Sequence, residues 1–219
     1  MPLEYYKNFK NHPAGQWIMS ESDCQRLQKL VKDYGCKTIL DLGSGIGAST
    51  YALAEATEGK VWAVEQWDKC QNIAKEIMPE ELRNKIIYLR SNAGVMKFRE
   101  IAFHCFSEFK ERPKEEWDLV VIDGPGPFMF NSDLIKLPNG DIFDIFHSLK
   151  SGCIIYIDSR LTTVLLMKRY LFPYLKEIEK ENTGSKNDYH IFQRNEVPFV
   201  GFIDTELSIL KANGYFNEQ

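Results

Sequence analysis

The sequence predicts an α/β fold: a doubly wound, mostly parallel, seven-stranded sheet with helices on both faces and a C-terminal antiparallel hairpin. Three observations carry this prediction. From Lys37 onward, short apolar runs alternate with helix-forming stretches, the pattern of a parallel sheet covered on both faces by right-handed crossovers. The first run, Thr38-Ile39-Leu40, enters the turn Asp41-Leu42-Gly43-Ser44-Gly45-Ile46-Gly47, and Ala48 to Glu58 behind it is rich in helix formers. Near the end, Lys176 to Thr183 and Asp188 to Arg194 flank the turn-like Thr183-Gly184-Ser185-Lys186-Asn187, as paired antiparallel strands would.

In chain order, Met1 to Trp17 mixes aromatic, basic, proline and glycine residues and is expected to be an irregular arm. Ser20-Glu21-Ser22-Asp23 offers an N-cap with acidic first-turn residues, opening a helix that runs to Tyr34 and stops at Gly35. Leu27, Leu30, Val31 and Tyr34 share one face of it. Strands are expected near 38–43, 60–65, 85–91, 117–123 and 152–158, and helices near 47–58, 67–78, 94–110, 140–149 and 162–176. Leu207 to Ala212 reads as a last short helix. A length of 219 residues suits one domain with a full core. Within it, 1–36 form the arm and first helix, 37–195 the core and 196–219 a tail.

Lysine and arginine number 27 and aspartate and glutamate 31, a net charge of −4. Such mild acidity argues against a surface built to grip a phosphate backbone, so no nucleic-acid partner is expected. No apolar run reaches the ~18–20 residues of a membrane span, and no secretory leader pattern opens the chain. The five cysteines, Cys24, Cys36, Cys70, Cys105 and Cys153, form no CxxC and are odd in number. They read as reduced thiols of a cytoplasmic protein rather than a zinc site. Association into a homo-oligomer is left open.

Ligands of open α/β sheets sit beyond the carboxyl ends of the strands. Glycines at the first such end let a ligand approach the backbone, and Glu65 closes the second strand, Lys60-Val61-Trp62-Ala63-Val64, where a carboxylate can meet a ribose. A nucleoside-containing cofactor follows. Gly43-x-Gly45-x-x-Ala48 also satisfies a relaxed dinucleotide fingerprint, so NAD competes. Asp41 argues against it, because a pyrophosphate about 4 Å from a carboxylate would cost roughly 4 kcal/mol at an effective dielectric near 20. S-adenosylmethionine (SAM) has no phosphate and carries an ammonium and a sulfonium, so the same interaction favours it unless the acid is neutralised.

Asp41-x-Gly43-x-Gly45-x-Gly47 with Glu65 resembles the first two motifs of class I SAM-dependent methyltransferases, and Ala48-Ser49-Thr50 resembles the opening of the first helix in small O-methyltransferases of the Ile-Asp-Gly type. The resemblance spans about Thr38 to Arg160 and implies a Rossmann-like core. It assigns Asp41, Gly43, Ser44, Gly45, Gly47, Ser49, Glu65, Gln66 and Asp123 to the cofactor, with Ser49 on the methionine carboxylate. Asn92 and Ala93, after the third strand, would contact the adenine; Ser91-Asn92-Ala93-Gly94 reads equally as a loop-to-helix cap.

Trp117 to Ile122 leads to Asp123-Gly124-Pro125, resembling the Ile-Asp-Gly end of the family's fourth strand, where the aspartate holds a divalent cation or approaches the substrate. Ile154-Ile155-Tyr156-Ile157 ends likewise at Asp158-Ser159-Arg160. With strands about 4.8 Å apart, Asp123 and Asp158 are candidate ligands of one Mg2+ or another divalent cation. The family's metal-dependent members have Asp-Asn where this chain has Asp158-Ser159, and their lysine base falls here on Gly126. Asp158 or Ser159 would otherwise cap the following helix. His190 on the last strand and Asp123 are the candidate catalytic bases; His104 and His147 fall in expected helices and His12 in the arm. Arg160 would bind an anionic group of the substrate or pair with an acid, and Trp17, Phe128 and Phe130 are candidates for an aromatic lid.

The expected activity is SAM-dependent O-methylation of a small-molecule or saccharide hydroxyl. Two alternatives remain: an aminopropyltransferase of spermidine-synthase type, whose denser acidic pattern after the second strand is replaced here by Gln66-Trp67, and a non-catalytic SAM-binding module.

Overall fold

The computed structural model describes residues 5–98, 101–106, 116–126, 128–130, 133–135, 137–181 and 188–202; of these, the side chains of 17, 98, 128–130 and 133–135 are not described. Helix α1 (Tyr6–Asn11) and a 3-10 turn (Gly15–Trp17) precede α2 (Glu21–Tyr34). Then follow β1 (Thr38–Leu42), α3 (Ala48–Ala56), β2 (Lys60–Glu65), α4 (Asp68–Ile77), α5 (Glu80–Arg83) and β3 (Ile86–Arg90). A hairpin of β4 (Ala93–Phe98) and β5 (Ile101–Phe106) leads to β6 (Trp117–Ile122), and a second small hairpin pairs β7 (Phe128–Phe130) with β8 (Asp133–Ile135). The chain continues through α6 (Asp141–Ile145), β9 (Leu149–Asp158), α7 (Leu161–Tyr170), β10 (Leu175–Glu181) and β11 (Tyr189–Arg194).

Seven strands form the main sheet in the order β10-β11-β9-β6-β1-β2-β3, parallel from β9 to β3 and antiparallel through β11 and β10. The expected fold class stands, with every expected strand of the main sheet in place. Helix α2 starts as its cap chemistry requires, with Ser20 Oγ accepting from Asp23 N at 3.2 Å, and it ends at Gly35 with φ 62°. Among the described residues no helix is long and apolar enough to cross a membrane.

Each sheet face has its own core. One buries Ile39, Val61, Ala63, Leu119, Val121 and Tyr156 beneath α2 and α3. The other buries Leu40, Val64, Val120, Ile122, Ile155 and Ile157 beneath α6 and α7. Nearly continuous apolar strands are what burial on both faces demands.

Three expectations are corrected. Within the stretch expected as a helix at 94–110, the described residues form strands instead, because Ile101, Phe103, Cys105 and Phe106 favour an extended pleat and β5 is further fixed from its flank: His104 N donates to Pro138 O at 2.9 Å and Gly140 N to His104 O at 3.2 Å. The arm is partly helical and docked, since Tyr6 and Phe9 lie three residues apart and bury together, Phe9 against the Tyr51 ring with centroids 5.7 Å apart. The helix expected over 140–149 stops at Ile145 and passes through a 3-10 turn (Phe146–Ser148) into a strand that begins at Leu149. The proposed turn at 183–187 and the helix at Leu207 to Ala212 lie outside the described residues.

Candidate functional site

Strand register explains why the acids gather. Asp41 is opposite Ala63 and Val121, and Val121 is opposite Tyr156. Two residues further along their strands, Glu65, Asp123 and Asp158 leave the sheet on the same face as Asp41. A period of two thus delivers four carboxylates to one side of the carboxyl edge.

The glycines of the turn after β1 do three different things. Gly43 (φ 96°) is pressed against the turn after β6, where an added Cβ would lie 2.4 Å from the Gly124 Cα and N. Gly47 (φ 98°) seats α3 against α4, with its Cβ position 3.0 Å from that of Ala74. Gly45 (φ 53°) faces open space, with no atom within 4 Å of its Cβ position. An added side chain would therefore meet packed atoms at Gly43 and Gly47 and open space at Gly45.

Asp41 lies under this turn, wholly buried. Its Oδ2 accepts from Ser49 Oγ at 2.9 Å and Thr50 Oγ1 at 2.6 Å, while Oδ1 has no partner. Burial, outweighing the two hydroxyl bonds, pushes its pKa up to about 6. Ser49 thus spends its proton on Asp41 and anchors α3 rather than presenting a donor to the cleft. Glu65, 5% exposed, is bonded to the turn itself: Oε2 accepts from Gly45 N at 2.9 Å, and Oε1 from Gln66 N and Trp67 N at 2.8 and 2.9 Å. Burial raises its pKa against those three bonds. A carboxylate has about four lone-pair sites, so one remains for an incoming hydroxyl.

Above Gly45 is an open cleft. Gly43, Ser44, Gly45, Ile46, Ala48 and Ser49 form one wall and Asp123 another, and Ala14, Ile18, Met19 and Cys70 complete the lining. These last four were not legible as site residues: nothing local in the sequence says that the N-terminal segment carrying Ala14, Ile18 and Met19 folds back over the turn, or that Cys70 of α4 faces the cleft. Ser44 Oγ is buried there without a partner. Asn92 is exposed and Ala93 half-buried on the neighbouring strand end, where Ser91 N donates to Glu65 O at 3.1 Å. The side chains of Trp17, Phe128 and Phe130 lie outside the described residues.

At the far wall Asp158 lies close enough to Asp123 for the two carboxyls to act on each other. Burial, followed by the charge of Asp158, raises the Asp123 pKa well above the usual carboxylate range. Arg160 Nη2 donates to the Asp123 carbonyl at 2.5 Å. Behind the turn, Asn139 Nδ2 donates to Gly124 O at 2.9 Å and to Asp141 Oδ2 at 2.8 Å, while Asp141 Oδ1 accepts from Phe106 N at 3.0 Å. This buried brace depends on β5, and the helical reading of 94–110 concealed it. His190 does not join the group. It pairs with Ile157, on the opposite face from Asp158, and its Nδ1 lies 2.7 Å from Glu177 Oε1.

Asp123 and Asp158 are the two carboxylates here that could hold a divalent cation with water completing its shell; among the described residues no group of three His, Cys, Asp or Glu side chains converges.

No protein-family model matches the chain, and no curated protein matches it in sequence. Solved structures do match. An O-methyltransferase from Bacillus cereus in complex with S-adenosylhomocysteine (SAH) is 15% identical over 88% of this chain and 89% of its own, with a TM-score of 0.59. The O-methyltransferase TomG from Streptomyces achromogenes, involved in tomaymycin synthesis and solved with SAM, is 14% identical over the same shares, with a TM-score of 0.59. An RNA methyltransferase from Salinibacter ruber with SAH is 12% identical over 85% and 99%, with a TM-score of 0.54. The chain has the Rossmann-like fold of these methyltransferases.

Proposed function

We propose that the chain is a SAM-dependent methyltransferase acting on a hydroxyl oxygen of a small molecule or saccharide. The observation that carries this reading is the cleft over Gly45, with Glu65 bonded to its floor and Asp123 in its wall. The residues fit the cofactor. The Gly45 backbone is open, Glu65 keeps acceptor capacity for a ribose hydroxyl, and Ser44 Oγ and Asp41 Oδ1 are buried polar atoms still without partners. Asn92, exposed beyond β3, is the candidate for the adenine edge. Bound there, SAM would supply a methyl group already activated by its sulfonium. The acids beneath and beside the cleft favour that positive charge and disfavour a pyrophosphate.

The chain's own work is then alignment and proton handling. Alignment alone contributes several kcal/mol. Asp123, its proton affinity raised by burial and by Asp158, is suited to accept the hydroxyl proton nearer neutral pH than an exposed aspartate. His190 is not carried into this role, and no step is routed through a metal. The net charge of −4 favours a small acceptor over a polynucleotide, and five cysteines with no disulfide among them favour the cytoplasm. Calorimetry tests the reading: SAM and SAH should bind, and the Gly45→Val variant should bind neither. Preferential binding of NAD would overturn it. A screen of hydroxyl compounds with radiolabelled SAM then identifies the acceptor.

A further inference from the structure

Asn139 stands between Pro138 and Gly140 at the entrance to α6, in a run that reads as an ordinary turn. It is instead wholly buried. Its Oδ1 accepts from Ile142 N at 3.4 Å, a local bond of the kind that starts a helix. Its Nδ2 reaches further, donating to Gly124 O at 2.9 Å and to Asp141 Oδ2 at 2.8 Å. Both of those partners are acceptors, so the amide fits only one way round. Asp141 Oδ1 accepts in turn from Phe106 N of β5, and Asn139 N donates to Thr163 Oγ1 of α7 at 2.9 Å. Elements β5, α6 and α7 thus converge on one side chain, and that side chain ends at the turn carrying Asp123.

From the β1 side the turn is held at one point. Asp123 N and Gly124 N donate to the same atom, Leu42 O, at 3.0 and 2.6 Å, and the Gly124 main chain lies against Gly43. Two donors meeting at one oxygen set how far the turn stands from β1 but do little to fix its tilt about that oxygen. A second anchor behind the pivot removes the tilt. The bond from Asn139 to Gly124 O supplies it, beside the bond from Arg160 Nη2 to Asp123 O at 2.5 Å, and Asn139 joins the turn to β5 and α6 through Asp141.

We infer that Asn139 is a positioning residue of this site: by holding Gly124 O from behind, it fixes the tilt of the turn and so the direction in which the Asp123 side chain enters the cleft wall. The inference rests on the methyltransferase reading and deepens it. Direction matters because methyl transfer depends on alignment, where a misplacement of about 1 Å costs on the order of 100-fold in rate.

Two measurements on the full chain test this, with Thr163→Val for comparison. That variant takes the acceptor from Asn139 N and loosens the same buried region, yet leaves the bond to Gly124 O in place. The first measurement is calorimetry with SAM. Asn139→Ala should weaken SAM about tenfold, the worth of one buried hydrogen bond, and Thr163→Val by less than about twofold. Added to Asp123→Ala, the Asn139→Ala change should cost nothing further, since Asn139 acts through Asp123. The resonance of bound SAM labelled with 13C at its methyl should move in Asn139→Ala and stay in place in Thr163→Val. Asn139→Ser, too short to reach Gly124, serves where Asn139→Ala does not fold. The second measurement is hydrogen exchange without ligand, in which the Asp123 and Gly124 amides should exchange about tenfold faster in Asn139→Ala than in Thr163→Val. Equal exchange in the two variants, unchanged SAM affinity in Asn139→Ala, effects of Asn139→Ala and Asp123→Ala that multiply, or an equal loss in Thr163→Val would each overturn the assignment. Failure of the wild-type protein to bind SAM counts against the cofactor reading instead, and the exchange rates still decide whether Asn139 holds the turn.

Discussion

The two ends of the sheet are built from similar residues and treat them differently. At the amino end, Asp118 accepts from Lys37 N and Thr38 N, both at 2.9 Å, and from Lys150 Nζ at 2.8 Å. Burial pushes its pKa up, but those partners pull it further down, to a net lowering. Gly59 there is closed in so tightly that a Cβ would lie 1.8 Å from Lys37 O. At the carboxyl end the acids Asp41, Glu65 and Asp123 all have raised pKa values, and Asp41, Ser44 and Arg160 each keep a buried polar atom without a partner. Asp118 is satisfied by the chain itself, whereas Asp41 at the other end keeps bonding capacity in reserve. Proteins concentrate such shifts where they do chemistry.

The sharpest way to break this contrast is within one turn. Gly43→Ala should destabilise by more than about 3 kcal/mol, because the new Cβ meets backbone and φ is 96°; urea unfolding measures it. Gly45→Val should instead fold, with a backbone strain of about 1–2 kcal/mol, yet weaken SAM binding by about 100-fold or more in calorimetry. If both variants lost stability alike, the division between packing and ligand glycines would be wrong.

Next in size, Asp118→Ala should cost about 1–3 kcal/mol of stability while leaving SAM affinity within twofold. Affinity falling in step with stability would mean that the two ends are not separate.

The pH dependences should have opposite signs. The Asp41 pKa is raised from 3.8 to about 6, so between those values the native state holds a proton that the unfolded chain has released. Its contribution therefore falls as pH rises through that window, by roughly 3 kcal/mol in the limit. Asp118, with a lowered pKa, contributes above 3.8 and loses that contribution as pH falls further. Denaturation midpoints of Asp41→Asn and Asp118→Asn, followed from pH 3 to 7, should each lack one of these slopes. The smallest effect is expected at His190, whose replacement by glutamine should change methyl transfer by less than threefold, because its partner Glu177 lies across the sheet from the cleft.

The parallel strands and the glycine turn were legible because burial on both faces leaves continuous apolar runs, and because a positive φ restricts a position to glycine. Asp41, Glu65, Asp123 and Asp158 were legible as strand-end acids, and the period of two places them together. Their individual tasks were not. Whether Asp41 faces a ligand or a helix depends on Ser49 and Thr50 being turned toward it, and whether Gly43 faces a ligand or Gly124 depends on a turn 81 positions later. The β4–β5 hairpin misled for a related reason, since its pairing with 138–140 is tertiary. The arm shows no periodicity that would announce its place over the cleft.

The contact between Gly43 and Gly124 has a consequence for how new specificities arise in such a scaffold. Main chain touches main chain there, so the separation between the Gly45 turn and Asp123 is set by peptide geometry; on the methyltransferase reading, side chains elsewhere in the cleft could change the acceptor without changing the reach of the transfer.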